Sequence, residues 1–202
     1  MSSTIFILGN GPSLKDFDLK NAEKVGKIFG TNASSILSQE KDVRQDYHFV
    51  NDLRFLSDPN RAKLITDDYL DRETIRIVGS ECRYGLPRFS GKTRSVKVIG
   101  NYGFSINPKS GFYHGYSIVN LAFQYALTMS PEAIVFCGVD LNYSGDEARF
   151  YEKIASHPPD PFRGKQLSIL KLGLEVAKSR GTKIFISGDK SLFASYVPQW
   201  CW

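Results

Sequence analysis

Short, mostly apolar runs recur along this chain, and most of them end in glycine or a small polar residue. Ile5-Phe6-Ile7-Leu8 runs into Gly9-Asn10-Gly11-Pro12-Ser13-Leu14, Val25 to Phe29 into Gly30-Thr31-Asn32, and Tyr47 to Val50 into Asn51. Ile75 to Val78 stops at Gly79, Ala133 to Cys137 at Gly138-Val139-Asp140, and a last run covers Lys183 to Ser187. Runs this short, without polar alternation, suit strands buried on both faces. The intervening segments carry helical spacing: Ala33 to Lys41, a charged stretch from Asp52 to Asp71, and Gln166 to Arg180. The broadest apolar face, formed by Tyr113, Tyr116, Ile118, Val119, Leu121, Ala122, Phe123 and Ala126, predicts a helix opened by Lys109-Ser110-Gly111 and stopped before Pro131. Leu14 to Ala22 is short and polar, and Ser191 to Tyr196 reads as a terminal helical turn. Strands alternating with helices predict an α/β fold: a single Rossmann-like domain with a mostly parallel sheet flanked by helices.

Two stretches break this rhythm. Residues 80 to 107 hold Arg83, Arg88, Lys92, Arg94 and Lys97 among Gly and Pro, which suits an irregular basic insertion. Residues 142 to 166 are too long for an ordinary connection and read as a lid or binding loop. At 202 residues and 42% hydrophobic content the chain is expected to form one domain over 1–202. Its net charge of +5 favours anionic partners, but the basic residues are scattered and no nucleic-acid module is present, so nucleic acid is not expected. Cys82, Cys137 and Cys201 lack the spacing of a disulfide framework or a zinc site. With neither a leader nor a bilayer-length apolar run, a cytoplasmic protein is expected. Trp200 and Trp202 leave room for peripheral contact with a membrane, although a C-terminal core plug is the preferred reading.

The glycine turn after the first strand is the natural place for a ligand. Gly9 and Gly11 let the backbone expose its N–H groups, Ser13 reads as a helix N-cap, and a positive helix end attracts phosphate or carboxylate. A dinucleotide fold would place Asp or Glu about 20 residues further on to hold ribose hydroxyls, whereas this chain has Thr31 and Asn32. Asn32 and Asn51 put neutral amides at the carboxyl ends of two strands, where a parallel sheet binds its ligands, and Asp140 is expected on the same rim.

Together Gly9-Asn10-Gly11-Pro12-Ser13-Leu14, Asn32, Asn51, Ser110-Gly111 before a long helix and Gly138-Val139-Asp140 resemble the bacterial sialyltransferases of glycosyltransferase family forty-two. The resemblance implies an inverting transferase that moves an acidic sugar, of sialic acid or Kdo type, from a CMP donor to a surface-glycan or glycolipid acceptor. It implies that Asn10, Asn32 and Asn51 hold the donor with the glycine turn, and that Ser110, followed by Gly111, meets the sugar carboxylate. The family sets two lid tyrosines against the departing phosphate, and Tyr143 and Tyr151 stand near those positions, with Arg149, Arg163 and Lys165 as neighbouring cations. Its catalytic His precedes the helix expected from Gln166, where this chain has Arg163-Gly164-Lys165; the nearest His is His157, the candidate base. Asp140 is a second candidate, His114 could compete although helix packing is its preferred reading, and His48 carries no special signal. No acidic pair suited to holding a catalytic cation is expected beside the proposed site, and a donor with one phosphate has little need of a cation, so neither metal nor other cofactor is expected. A homo-oligomer is compatible with so short a chain. The rival reading is a nucleotide-binding module without transferase activity, or a dinucleotide-dependent enzyme.

Overall fold

The computed structural model of the protein describes residues 3–141, 149–151 and 160–202. In chain order the elements are β1 (Thr4–Leu8), α1 (Leu19–Val25), β2 (Gly26–Thr31), α2 (Ser34–Glu40), β3 (Tyr47–Val50), α3 (Leu53–Ser57), α4 (Pro59–Ala62), β4 (Ile75–Gly79), β5 (Thr93–Val96), α5 (Ile118–Leu127), β6 (Ala133–Cys137), α6 (Arg163–Ser179) and β7 (Lys183–Ser187). The seven strands form one sheet in the order β5-β4-β3-β2-β1-β6-β7, and every neighbouring pair is parallel. The chain lays β2 to β5 outward on one side of β1, then returns to place β6 and β7 on the other. That reversal leaves a crevice beyond the carboxyl ends of β1 and β6, where open parallel sheets bind ligands.

Successive residues of β1 face opposite layers, so a strand apolar at every position serves two cores. Ile5 and Ile7 join Phe29, Phe49, Ile134 and Phe136 against Leu121 and Phe123 of α5 and Leu170 of α6. Phe6 and Leu8 join Ile28, Val135 and Cys137 against Leu14, Leu19 and Leu37. Each fully buried Phe or Leu contributes about 1.5–3 kcal/mol, so the central strands are fixed in place and the loops at their ends inherit that rigidity. No helix among the described residues is long and apolar enough to cross a membrane.

The sheet follows the apolar runs, but four local expectations need correction. The long helix starts at Ile118 with Ser117 as its cap, not at Lys109. Gly111, Gly115 and Tyr116 have φ values of +107°, +67° and +57°, which a right-handed helix cannot contain. Ser13 is not an N-cap: Gly11 precedes a 3₁₀ turn over Pro12–Asp16, with Pro12 at a position that needs no N–H donor. The charged stretch after Asp52 is broken into α3, α4 and a 3₁₀ turn at Lys63–Ile65, because Pro59 restarts the chain under a new cap from Asp58. Within the basic insertion lies a seventh strand, β5, on the sheet edge.

Candidate functional site

A cavity of about 450 Å³ opens at the switch point. Its floor is the contact between the loops after β1 and β6. A Cβ on Gly9 would collide with the Gly138 carbonyl, and one on Gly11 with the Asp140 carboxylate, so only glycine allows these loops to touch. Asp140 clamps the contact from behind: it accepts hydrogen bonds from the Ser13 hydroxyl and, at 3.0 Å, from the Ser13 backbone N–H. It is 6% exposed, and neither it nor Ser13 nor Gly11 lines the cavity. The expected place of Asp140 on the binding rim is thus corrected, since its carboxylate is turned into the glycine loop.

Asn10, Asn32 and Asn51 all reach the cavity wall. Their amides are used differently. Asn10 Nδ2 donates to Thr31 O at 3.3 Å and Thr31 Oγ1 at 3.2 Å, while its Oδ1 accepts from Ala33 N–H at 3.1 Å, tying the β1 loop to the end of β2. Asn51 Oδ1 accepts from Cys82 Sγ at 3.4 Å. Asn32 sits in the left-handed region at φ +46°, and its buried Oδ1 has no hydrogen-bond partner. A buried acceptor without a donor is costly, about 1–3 kcal/mol, and in a cavity it is an invitation to a ligand N–H or O–H.

The start of α3 supplies charge. Asp52 caps the helix and is gripped by Arg54, whose Nε and Nη2 lie 3.1 and 3.0 Å from its carboxylate oxygens. Burial pushes the Asp52 pKa up, but the hydrogen bonds from Arg54 outweigh it and hold the carboxyl below the usual range. Arg61 of α4 and Arg149 complete three arginines around the cavity, against two carboxylates, Asp52 and Asp160. Arg149 and Tyr151 belong to the segment expected as a lid, and Phe150 N–H donates to Asn10 O at 3.1 Å, which ties that segment to the glycine loop. Tyr143 and His157 lie outside the described residues.

The opposite wall is the turn before α5 together with the start of α6. His114, Tyr116 and Ser117 line it, and Ser117 caps α5 through Val119 N–H at 3.3 Å. Ser110 and Gly111, expected here, are not in the cavity: Ser110 is exposed on a turn closed by Asn107, and Gly111 packs against Lys97. The helix they were expected to open starts seven residues further on. Just before α6, Asp160 accepts from Phe162 N–H at 2.8 Å and from Gln166 Nε2 at 2.7 Å, and Gln166 of α6 also donates to Tyr116 O at 3.0 Å. Phe162 stacks on Tyr116 with ring centroids 5.1 Å apart, under the Lys165 ammonium. Sequence reasoning missed Asp52, Arg54, Arg61, Tyr116, Ser117, Asp160, Phe162 and Gln166, and it placed His114 inside a helix. For Asp52 a signal was present, since it directly follows Asn51 at a strand end.

No family model matches the chain and no curated protein matches it in sequence. Several solved structures share its fold. The Maf glycosyltransferase of Magnetospirillum magneticum AMB-1 superposes with a TM-score of 0.66 at 13% identity over 94% of this chain, which spans only 32% of that protein. The monofunctional α-2,3-sialyltransferase Cst-I of Campylobacter jejuni gives 0.62 at 17% identity, covering 98% of this chain and 80% of that one. CstII of the same organism, in complex with the substrate analogue cytidine-5'-monophosphate, gives 0.58 at 15% identity, covering 97% and 84%. The structural likeness thus falls on sialyltransferases, the proteins the sequence motifs resemble, and the chain has the α/β fold of these glycosyltransferases.

Proposed function

We propose that the protein is an inverting glycosyltransferase that moves an acidic sugar, of the sialic acid or Kdo type, from a CMP donor to a glycan hydroxyl. The observation that carries this reading is the unpartnered Asn32 Oδ1 at the switch-point cavity. It asks for a donor such as a ribose hydroxyl or the exocyclic amine of a cytosine. Around it, Arg54, Arg61 and Arg149 match the two negative charges of a CMP-linked acidic sugar, one on its phosphate and one on its carboxylate. Arg149 and Tyr151 line the same cavity and in this reading are the donors to the phosphate as charge grows on it, the part that the sequence resemblance also gives Tyr143. A leaving group with a single phosphate needs no divalent cation to bridge it, and turnover is expected to be unaffected by EDTA.

The donor is tested by thermal unfolding in the presence of CMP, UDP, GDP or NAD. CMP is expected to stabilise most, by about 2.7 kcal/mol at 100 times its dissociation constant. A larger effect of NAD would overturn the reading in favour of a dinucleotide-dependent protein.

A further inference from the structure

Inverting transfer needs a group that removes the acceptor proton. Among the described residues, five titratable side chains other than arginine line the cavity: Asp52, His114, Tyr116, Tyr151 and Asp160. Geometry separates them. Asp52 is gripped through both oxygens by Arg54, and Asp160 has both of its oxygens occupied, one by Phe162 N–H and the other by Gln166. A phenol can serve as a base only after losing its own proton, which an ordinary phenol keeps at neutral pH. His114 is half-buried, faces the cavity, and its ring makes no hydrogen bond among the described residues.

The backbone under His114 is fixed to an unusual degree. Its N–H donates to Gly100 O at 2.8 Å, and the next N–H, of Gly115, to Asn101 O at 3.1 Å. The carbonyls of Gly115 and Tyr116 accept from Asn120 Nδ2 at 2.6 Å and Gln166 Nε2 at 3.0 Å. Gly115 and Tyr116 are consecutive left-handed residues, and an aromatic residue at φ +57° costs of the order of 1–2 kcal/mol. Such strain, held by the ends of α5 and α6, gathers where side chains must be aimed.

We propose that His114 is the general base, acting from the turn before α5, where the sequence alone preferred to see it packed inside a helix. The inference rests on the CMP-donor reading above. One ring nitrogen takes the acceptor O–H proton while the acceptor oxygen forms a bond to the anomeric carbon. The bond from that carbon to the phosphate oxygen breaks, CMP leaves with the electron pair, and the imidazolium then returns its proton to water. The groups facing the ring are Asp52 and Arg54 at the start of α3; burial lowers the His114 pKa, Asp52 draws it back up, and Arg54 lowers it further. The net direction is down, so the ring is neutral at pH 7 and able to accept a proton.

The test measures CMP affinity by calorimetry and CMP release from CMP-linked sialic acid and CMP-linked Kdo, with water as the accepting hydroxyl, between pH 5 and 9. It uses the wild type and the His114→Ala, His114→Gln and His157→Ala variants. Expected are unchanged CMP affinity in both His114 variants, which also shows them folded, and release slowed about 10²- to 10⁴-fold. The wild-type rate should fall on the acid side with a midpoint below pH 6.5, a limb that both His114 variants lose. CMP bound normally with release retained in the His114 variants, or the loss appearing in His157→Ala instead, overturns this assignment and leaves the donor reading standing. A wild type that does not bind CMP overturns both, and one that binds CMP without releasing it from either donor overturns the assignment.

Discussion

Asn10 and Asn32 look alike in the sequence, each following a strand and a glycine, yet they do opposite work. The Asn10 amide is used in three hydrogen bonds that join β1 to β2, so Asn10→Ala is expected to destabilise the fold by about 1–3 kcal/mol. The Asn32 oxygen has no partner, so Asn32→Ala is expected to lower the unfolding midpoint less than Asn10→Ala does, the gain from removing an unpaired acceptor being opposed by the strain of Ala at φ +46°, and to weaken CMP binding by about 0.5–1.5 kcal/mol, roughly 2- to 10-fold. Urea denaturation beside CMP calorimetry separates the two; equal affinity in Asn32→Ala and the wild type would count against its contact with the donor. That asparagine ends both strands was legible, because residue type and position suffice. Which amide is free was not, since it depends on what lies across the sheet. Asp140 makes the same point: its place after β6 could be read, but the Ser13 hydroxyl that turns the carboxylate away from the cavity could not.

At the scale of elements, strands with four or more consecutive apolar residues could be read directly, because burial on both faces writes itself into composition. β5 could not, since Thr93-Arg94-Ser95-Val96 is almost wholly exposed and owes its strand form to pairing with β4. The turn over 107–117 was misread for a related reason: Tyr113 and Tyr116 are spaced as on a helix with the residues that follow, but Phe112 N–H donates to Lys97 O and glycine twists the chain left-handed. Within β3 lies a residue whose burial has a measurable consequence. His48 is fully buried beside Arg76 in the register of β3 and β4, and Gln45 Oε1 lies 2.7 Å from its Nδ1. Burial first, then the nearby guanidinium, lower its pKa from 6.5 to about 3. An unfolded chain therefore takes up a proton below pH 6.5 that the folded chain refuses until about pH 3. Stability is full above pH 6.5 and falls as pH drops through that window, by up to about 1.4 kcal/mol per unit. Urea midpoints at pH 7 and pH 5 should show the fall, and His48→Gln should flatten it; an equally steep loss in that variant would assign the proton uptake elsewhere.

The whole molecule has two sheet edges to protect, and it does so by different means. Beside β5 the chain carries Lys92, Arg94 and Lys97 at exposed positions, and charged side chains of this kind discourage edge-to-edge pairing. Beside β7 the C-terminal segment lies along the edge: Ile186 N–H donates to Pro198 O at 3.1 Å and Trp200 N–H to Ile186 O at 2.8 Å. The Trp200 ring then packs edge-on against Phe6, 5.8 Å between centroids, and Phe185, at 5.3 Å. Trp202 stacks on Phe17 at 5.7 Å. Trp200 packs against the core as the plug reading expected, whereas Trp202 is 54% exposed, and the contacts assign Trp200 a part in holding the strand-like cover over β7. Because the ring is partly exposed, Trp200→Ala is expected to cost less than the 3–5 kcal/mol of a fully buried Trp, about 2 kcal/mol. Loosening the cover should also bare the β7 edge, so the variant is expected to self-associate in sedimentation at concentrations where the wild type stays unchanged in size. CMP affinity should not move, since no contact of this ring lines the cavity. A Trp200→Ala protein with wild-type stability and unchanged sedimentation would show that the backbone pairing to Ile186 holds the segment without its side chain.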